Sequence, residues 1–182
     1  MKIGIDIKAL PVWHGIPKYI FIVISTIFSS LVIYWGIVGV PVNYIHRPTC
    51  LAFALVLGFM FFPSKIFQER SFLETSFNLI LILLSIISSI WVILTYERIE
   101  ISTVMTNQDL FWAGILALLV LDLTRRAVSP PLAVVGMLAL LYAYFGSYLP
   151  NIFAHRGYSI PRILIVVSTG GEGIFSSVLA GC

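Results

Sequence analysis

Charged side chains are scarce in this chain. Asp, Glu, Lys and Arg make up 10% of its 182 residues, whereas hydrophobic residues make up 59%. Soluble domains carry roughly 25% charged residues, so this chain has too few charges to build a water-solvated surface. Its apolar residues lie in long uninterrupted runs, and the mean hydropathy is +1.02. The composition therefore excludes an ordinary soluble domain and predicts that lipid surrounds most of the chain.

Motifs of enzymes, metal sites and nucleic-acid-binding domains are also missing. The sequence contains no HExxH, GxSxG or phosphate-loop pattern, which are signatures of metalloproteases, hydrolases and nucleotide-binding proteins. Its two cysteines, Cys50 and Cys182, show no metal-ligand spacing. The eleven Lys and Arg residues are scattered between apolar runs and form no basic stripe. We therefore predict no enzyme activity, no metal, no cofactor and no nucleic-acid partner.

Five apolar segments are long enough, or nearly so, to cross a hydrocarbon core as helices, which takes about 20 residues. The second segment is short and ends at Pro63, so a tilted or partly interfacial helix remains an alternative there. The alternation expected of barrel strands is absent. We predict an all-α, polytopic transmembrane bundle of about five helices. The predicted spans are 19–40, 48–62, 77–96, 110–126 after a polar cap at 107–109, and 130–149.

These spans divide the chain into three parts. Residues 1–18 are expected to form a cytoplasmic tail, and residues 19–149 a transmembrane helical domain. Residues 150–182 are expected to connect to a further element, so we expect the chain to be a fragment of something longer. Within them, 169–175 is a candidate for a broken helix, because three glycines flank a glutamate in an apolar context.

Asp122 is a carboxylate inside a predicted span, with Arg125 and Arg126 three and four residues later on the same helix face. An intramembrane carboxylate is a candidate for a proton relay. The two nearby arginines instead favour a local ion pair that stabilises the helix end. An exposed pair of this kind contributes about 0.3 to 1 kcal/mol.

Residues near the end of the chain offer weaker candidates for a site. His155, Arg156 and Gly157 could bind an anionic substrate or a lipid headgroup, or simply form a polar turn. Glu172 and Gly173 lie in a glycine-rich segment that lacks the spacing of a phosphate loop. We treat all five as structural or interface candidates.

Serines recur at four-residue spacing in two of the predicted spans: Ser25 with Ser29, and Ser85 with Ser89. Small residues at this spacing allow neighbouring helices to approach closely. We therefore expect them to lie at helix–helix contacts.

Basic residues predict the orientation of the chain. With the N-terminus inside, Lys2, Lys8, Lys18, Lys65, Arg70, Arg125 and Arg126 lie on the cytoplasmic side, and Arg47, Arg98, Arg156 and Arg162 lie outside. This bias follows the positive-inside rule.

A series of short motifs runs through the chain from residue 46 onward. In order, they are His46-Arg47-Pro48, the segment from Asn78 through Tyr96-Glu97, Asp109, LDLTRR at 121–126, YAYFG at 142–146, Pro150, AHRGYS at 154–159, Thr169 and EGIF at 172–175. In order and spacing, this set resembles the N-terminal part of the fused permeases of tripartite ATP-independent periplasmic (TRAP) transporters. The type it resembles is the fusion that works with TAXI solute receptors.

The resemblance implies a scaffold that corresponds to the small permease subunit of an inner-membrane transporter. In that family, a large transport region follows and holds the substrate and sodium sites, and a separate periplasmic receptor selects the organic anion. The implied partners are therefore that large region, a TAXI-type receptor and the lipid bilayer. The alternative is a free-standing membrane interaction protein, or an inactive fragment of an interrupted permease gene.

Overall fold

The computed structural model describes residues 18–39, 43–62, 72–102, 106–148, 156–168 and Ile174. Within these residues there are six α-helices and one 3₁₀ turn, and no strand. The prediction of an all-helical chain is therefore confirmed. The helices are α1 Lys18–Val38, α2 Asn43–Phe61, α3 Phe72–Ser102, α4 Asn107–Ala127, α5 Pro130–Phe145 and α6 Ile160–Ser168, and the 3₁₀ turn is Gly146–Tyr148.

Helix α2 differs most from the sequence prediction. It begins at Asn43 and contains Pro48, whereas the prediction started the helix at this proline. A proline near the start of a helix removes only one backbone hydrogen bond, so the preceding residues can remain helical. With 19 residues, α2 is about 28 Å long. The helix is therefore longer than predicted, but its apolar part, Ile45–Phe61, is short for a membrane span, as predicted.

Two further boundaries differ from the prediction. Helix α3 has 31 residues, because the polar segments on both sides of its apolar run continue the helix. Helix α5 ends at Phe145, four residues early, where Gly146 begins the 3₁₀ turn. In addition, α6 occupies part of the 150–182 region, so the described chain has one helix more than the five predicted spans.

Ring contacts show that α1 and α2 run in opposite directions. Near the start of α1, Phe21 lies 6.1 Å from Phe61 at the end of α2, measured between ring centroids. Near the end of α1, the centroids of Trp35 and His46 are 4.8 Å apart, and His46 belongs to the first turns of α2.

Helices α3 and α4 are also antiparallel. Asn78, near the start of α3, bonds to Arg126 in the last turn of α4. Arg98, near the end of α3, pairs with Asp109 in the first turn of α4. We name the two ends of the bundle the Arg126 end and the Asp109 end. Phe59 of α2 also contacts Arg126, so α2 finishes at the Arg126 end.

The apolar core lies between α2, α3 and α4. Its buried members are Leu51, Leu55, Phe59, Val92, Leu116 and Leu119. Helix α2 lies close to α4 at Gly58, where an added Cβ atom would lie 2.6 Å from Cδ2 of Leu123. Any larger side chain at this position would therefore displace Leu123.

Two helices in the described part of the chain are long and apolar enough to cross a membrane. They are α1, Lys18–Val38, and the Ser76–Thr95 part of α3. Ile45–Phe61 in α2 and Pro130–Phe145 in α5 are apolar but shorter. These findings give limited support to a membrane protein.

Candidate functional site

A polar cluster closes the Arg126 end of the α3–α4 pair. Asp122 lies between both predicted partners: Nη2 of Arg125 donates to Oδ1 at 2.9 Å, and Nη2 of Arg126 lies 2.6 Å from Oδ2. The spacing along α4 explains this arrangement, because positions i, i+3 and i+4 share one helix face. The three side chains carry a net charge of +1.

The pairing extends beyond α4. The side chain of Arg126 is only 5% exposed, and its Nη1 donates to Oδ1 of the buried Asn78 at 2.9 Å. Its guanidinium carbon also lies 5.3 Å from the ring centroid of Phe59 and 6.0 Å from that of Phe77. Arg126 therefore connects α4 to α2 and α3, whereas the sequence analysis assigned it only a local role. Asn78 was missed as a partner, although an amide within an apolar run is typical of a helix–helix contact.

A second cluster closes the Asp109 end. The Asp109 side chain is 1% exposed and accepts three hydrogen bonds. The donors are the backbone N–H of Thr106 at 2.8 Å, Nε1 of Trp91 at 3.1 Å, and Nη2 of Arg98. Nη1 of Arg98 also donates to Oγ1 of Thr106 at 3.0 Å. The sequence analysis placed the helix cap at 107–109, but the N-cap residue is Thr106 and Asp109 lies within the first turn.

The surroundings of Asp109 favour its ionised form. Burial raises the pKa of the carboxyl, but the hydrogen bonds from the backbone of Thr106, from Arg98 and from Trp91 lower it by more, so the pKa lies below its ordinary value. A carboxylate with a lowered pKa stabilises the folded state above the pKa of the unfolded chain. That stabilisation is lost as the pH falls through the lower, folded-state pKa.

Replacing Asp109 with Asn is expected to lower stability at neutral pH by about 1.5 to 3 kcal/mol, because charge-assisted hydrogen bonds are lost inside the protein. The measurement is thermal unfolding in detergent from pH 7 down to pH 3. We expect the difference in unfolding temperature between the parent and Asp109→Asn to become smaller at acid pH. Gln108→Asn, at an exposed neighbouring position, is the control and should unfold like the parent. A difference in unfolding temperature that stays constant with pH would contradict the role of the ionised carboxylate.

Between the two clusters, α3 presents small polar residues to the bundle. Ser85, Ser88 and Ser89 are all buried, as expected for Ser85 and Ser89. Oγ of Ser85 donates to the carbonyl of Leu81 at 2.7 Å. These side chains therefore shorten the distance between helices and carry no reactive arrangement.

The serines of α1 have a different environment. Ser25 is half-buried, and its hydroxyl donates to the carbonyl of Phe21 at 2.8 Å. Ser29 is exposed, so the prediction that it lies at a helix contact was wrong for the described bundle. The four-residue spacing did not reveal which face of α1 meets α2.

A buried His–Cys pair lies at the α1–α2 contact. Sγ of Cys50 is 3.7 Å from Nε2 of His46, and both side chains are buried. This pair was not predicted from the sequence, although four-residue spacing in a helix brings two side chains together. No group of three or more His, Cys, Asp or Glu residues that could hold a metal occurs in the described part of the chain.

The remaining predicted candidates are not brought together with these clusters. Arg156 is exposed, and Gly157 has a φ of +67°. A Cβ atom on Gly157 would also lie 3.2 Å from Oγ of Ser147. Gly157 therefore has a turn-forming role. His155, Glu172 and Gly173 lie outside the described residues.

An open cleft lies beside the Asp109 cluster. Its volume is about 540 Å³, and it is lined by Trp91, Asn107, Gln108, Phe111 and Trp112. The rings of Trp91 and Trp112 contact each other, with centroids 6.1 Å apart. Such aromatic residues are typical of the membrane–water interface.

Comparison of the chain with protein-family models, curated proteins and solved structures finds no match. The family resemblance therefore stays a prediction. The described side chains form paired charges and helix contacts, which are arrangements that hold a bundle together.

Proposed function

We propose that α1 to α5 all cross a membrane and form a rigid scaffold. The observation that carries this proposal is the reversed polarity of α3. Its buried face contains Asn78, Ser85, Ser88, Ser89 and Thr95, whereas its exposed face contains Ile80, Leu83, Ile87, Ile90 and Leu94. A surface helix of a soluble protein has the opposite arrangement. Lipid is the solvent that favours apolar side chains outside and small polar ones between helices.

The shorter helices fit this proposal because their polar residues lie near their ends. On α4, Asp109 and Arg126 are 17 positions apart, or about 26 Å, and both are held in the end clusters. Helix α5 has 16 residues, or about 24 Å. The bilayer can adapt to such a length by local thinning and by flanking residues that reach the interface.

The tryptophans support the same placement. Trp35, Trp91 and Trp112 all lie toward the Asp109 end, since Trp35 contacts His46 and the other two line the cleft. Tryptophan is enriched at membrane–water interfaces. The Asp109 end is therefore assigned to one membrane surface, and the Arg126 end to the other.

Within this scaffold reading, we propose that the chain serves as the small-subunit-like part of a TRAP-type permease. The family motifs support this proposal, and three of them, which contain Asn78, Asp109 and LDLTRR, contribute residues to the end clusters. Sodium-coupled uptake of organic anions with a TAXI-type receptor would belong to the complete permease. The scaffold would pack laterally against the large transport region in a bacterial or archaeal inner membrane.

The orientation is tested with reporter fusions. A reporter inserted between α3 and α4 is expected outside, and reporters between α2 and α3 or between α4 and α5 are expected in the cytoplasm. This follows from the antiparallel helices and from the placement of Arg125 and Arg126 at the same end as Lys18. The chain should also remain in membranes washed with alkaline carbonate. Release by carbonate would contradict membrane insertion, and reversed reporter signals would contradict the orientation.

A further inference from the structure

Helix α6 begins beside the end of α5. The backbone N–H of Tyr158 donates to the carbonyl of Ala143, in the last turn of α5, at 3.0 Å. Gly157 lies against Ser147, which follows α5. Helix α6 then packs against α4 and α5. Its first residue is therefore level with the membrane surface at which α5 ends.

The far end of α6 is buried in the bundle. Ser168, its last residue, is fully buried, and its hydroxyl donates to the carbonyl of Leu164 at 2.6 Å. Ile174 packs against the apolar core of α2, α3 and α4. With nine residues, α6 is about 13 Å long, roughly half of a hydrocarbon core.

Ile174 lies closer to α6 than an extension of that helix would place it. The backbone N–H of Ile174 donates to the carbonyl of Val167 at 2.8 Å. Bond lengths then limit the two Cα atoms to a separation of about 6.7 Å. In a continuous helix, residues seven positions apart are about 10.5 Å apart along the axis. Ile174 therefore lies beside the last turn of α6.

The composition of α6 disfavours a helix lying flat on the membrane. An interfacial helix needs a polar face along its whole length. The polar residues of α6 are Arg162 and Ser168, six positions apart and on different faces. Arg162 is exposed near the start and Ser168 is buried at the end, whereas Val166 between them is exposed and apolar. Arg162 and Val166 share the exposed face of α6, so only the first half of that face is polar.

We propose that α6 is a re-entrant half-helix: it enters the membrane from the surface at which α5 ends, and it terminates inside the bundle near Ser168. This inference rests on the proposed membrane insertion of α1 to α5. A helix end at membrane depth is stable only where protein covers it, and the burial of Ser168 and the core contacts of Ile174 supply that cover. An ended helix inside a bundle also directs its backbone carbonyls inward, as the broken helices of transporters do.

A disulfide tests whether Ile174 lies beside Val167. In a background carrying Cys50→Ser and Cys182→Ser, the pair Val167→Cys and Ile174→Cys is oxidised in membranes, and remaining thiols are counted with a maleimide of high mass. We expect a bridge, because bridged Cα atoms are about 4.4 to 6.8 Å apart. The control pair Ile160→Cys and Val167→Cys has the same spacing within α6 and should remain reduced. Free thiols in the first pair would overturn the proposal.

The depth of α6 is tested separately with nitroxide labels on single cysteines at residues 160 to 167. If α6 is re-entrant, the ratio of the label's accessibility to oxygen over its accessibility to a water-soluble nickel chelate should rise steadily from Ile160 toward Val167. A ratio that oscillates every 3.6 residues would show a helix lying flat and would overturn the proposal. If the chain stays in carbonate-washed membranes but the disulfide test or the nitroxide test fails, only the re-entrant helix is refuted. If carbonate releases the chain, the proposed membrane scaffold itself is refuted.

Discussion

The variant Arg126→Ala is expected to lose about 2 to 4 kcal/mol of stability, because a buried amide oxygen loses its donor and two aromatic rings lose their cation contact. The change leaves Oδ1 of the buried Asn78 without its donor and removes the guanidinium from Phe59 and Phe77. It also leaves Asp122 with Arg125 alone. Reversible unfolding in mixed micelles measures the loss, and the abundance of the variant in membranes should fall with it.

Arg125→Ala provides the matched control for this prediction. Arg125 bonds to the same carboxylate, but its side chain is 45% exposed. An exposed pair contributes about 0 to 1 kcal/mol, so this variant should remain close to the parent. Equal losses of unfolding free energy in the two variants would show that burial of an arginine does not determine how much it stabilises the cluster. The conservative change Asp122→Asn should reduce abundance, while transport per molecule in a complete permease stays near normal.

The positions of the helices were largely predictable because each contains an apolar run. The boundaries were less predictable where a proline or polar residues flank the apolar run. Pro48 was read as a start, but the residues before it are helical. The ends of α3 were placed where the apolar run stops, but the helix continues into polar sequence. Crossing a hydrocarbon core requires an apolar segment, whereas the backbone hydrogen bonds of a helix can continue into the polar sequence beyond that segment.

The candidate site was predictable only where its partners share a helix. Asp122 and Arg126 are four residues apart, so their contact follows from helix geometry alone. Asn78 and Arg126 are 48 residues apart, and their contact depends on the register between α3 and α4. Arg98 and Asp109 depend on the same register. Sequence periodicity does not determine how two antiparallel helices align.

Vesicles that contain this chain alone are expected to accumulate no organic anion, even with a sodium gradient and a TAXI-type receptor. Transport sites of this kind lie near the membrane midplane between structural repeats, where broken helices face each other. In the described part of the chain, α6 is a single ended helix without such a counterpart. The charges of the end clusters are paired with one another. We therefore expect these helices to support a moving domain without supplying an alternating-access element.

The decisive comparison adds the large transport region of a related permease to the same vesicles as a separate polypeptide. If the chain is a scaffold, uptake should appear only when both polypeptides are present, and it should disappear when the sodium gradient is removed. The Arg126→Ala variant should then restore less uptake than Arg125→Ala, because a scaffold with a weakened α2–α3–α4 contact holds the transport region less firmly. Uptake by the short chain alone would refute the scaffold function. Absence of uptake from the combined polypeptides, with both present in the membrane, would instead favour a free-standing interaction protein.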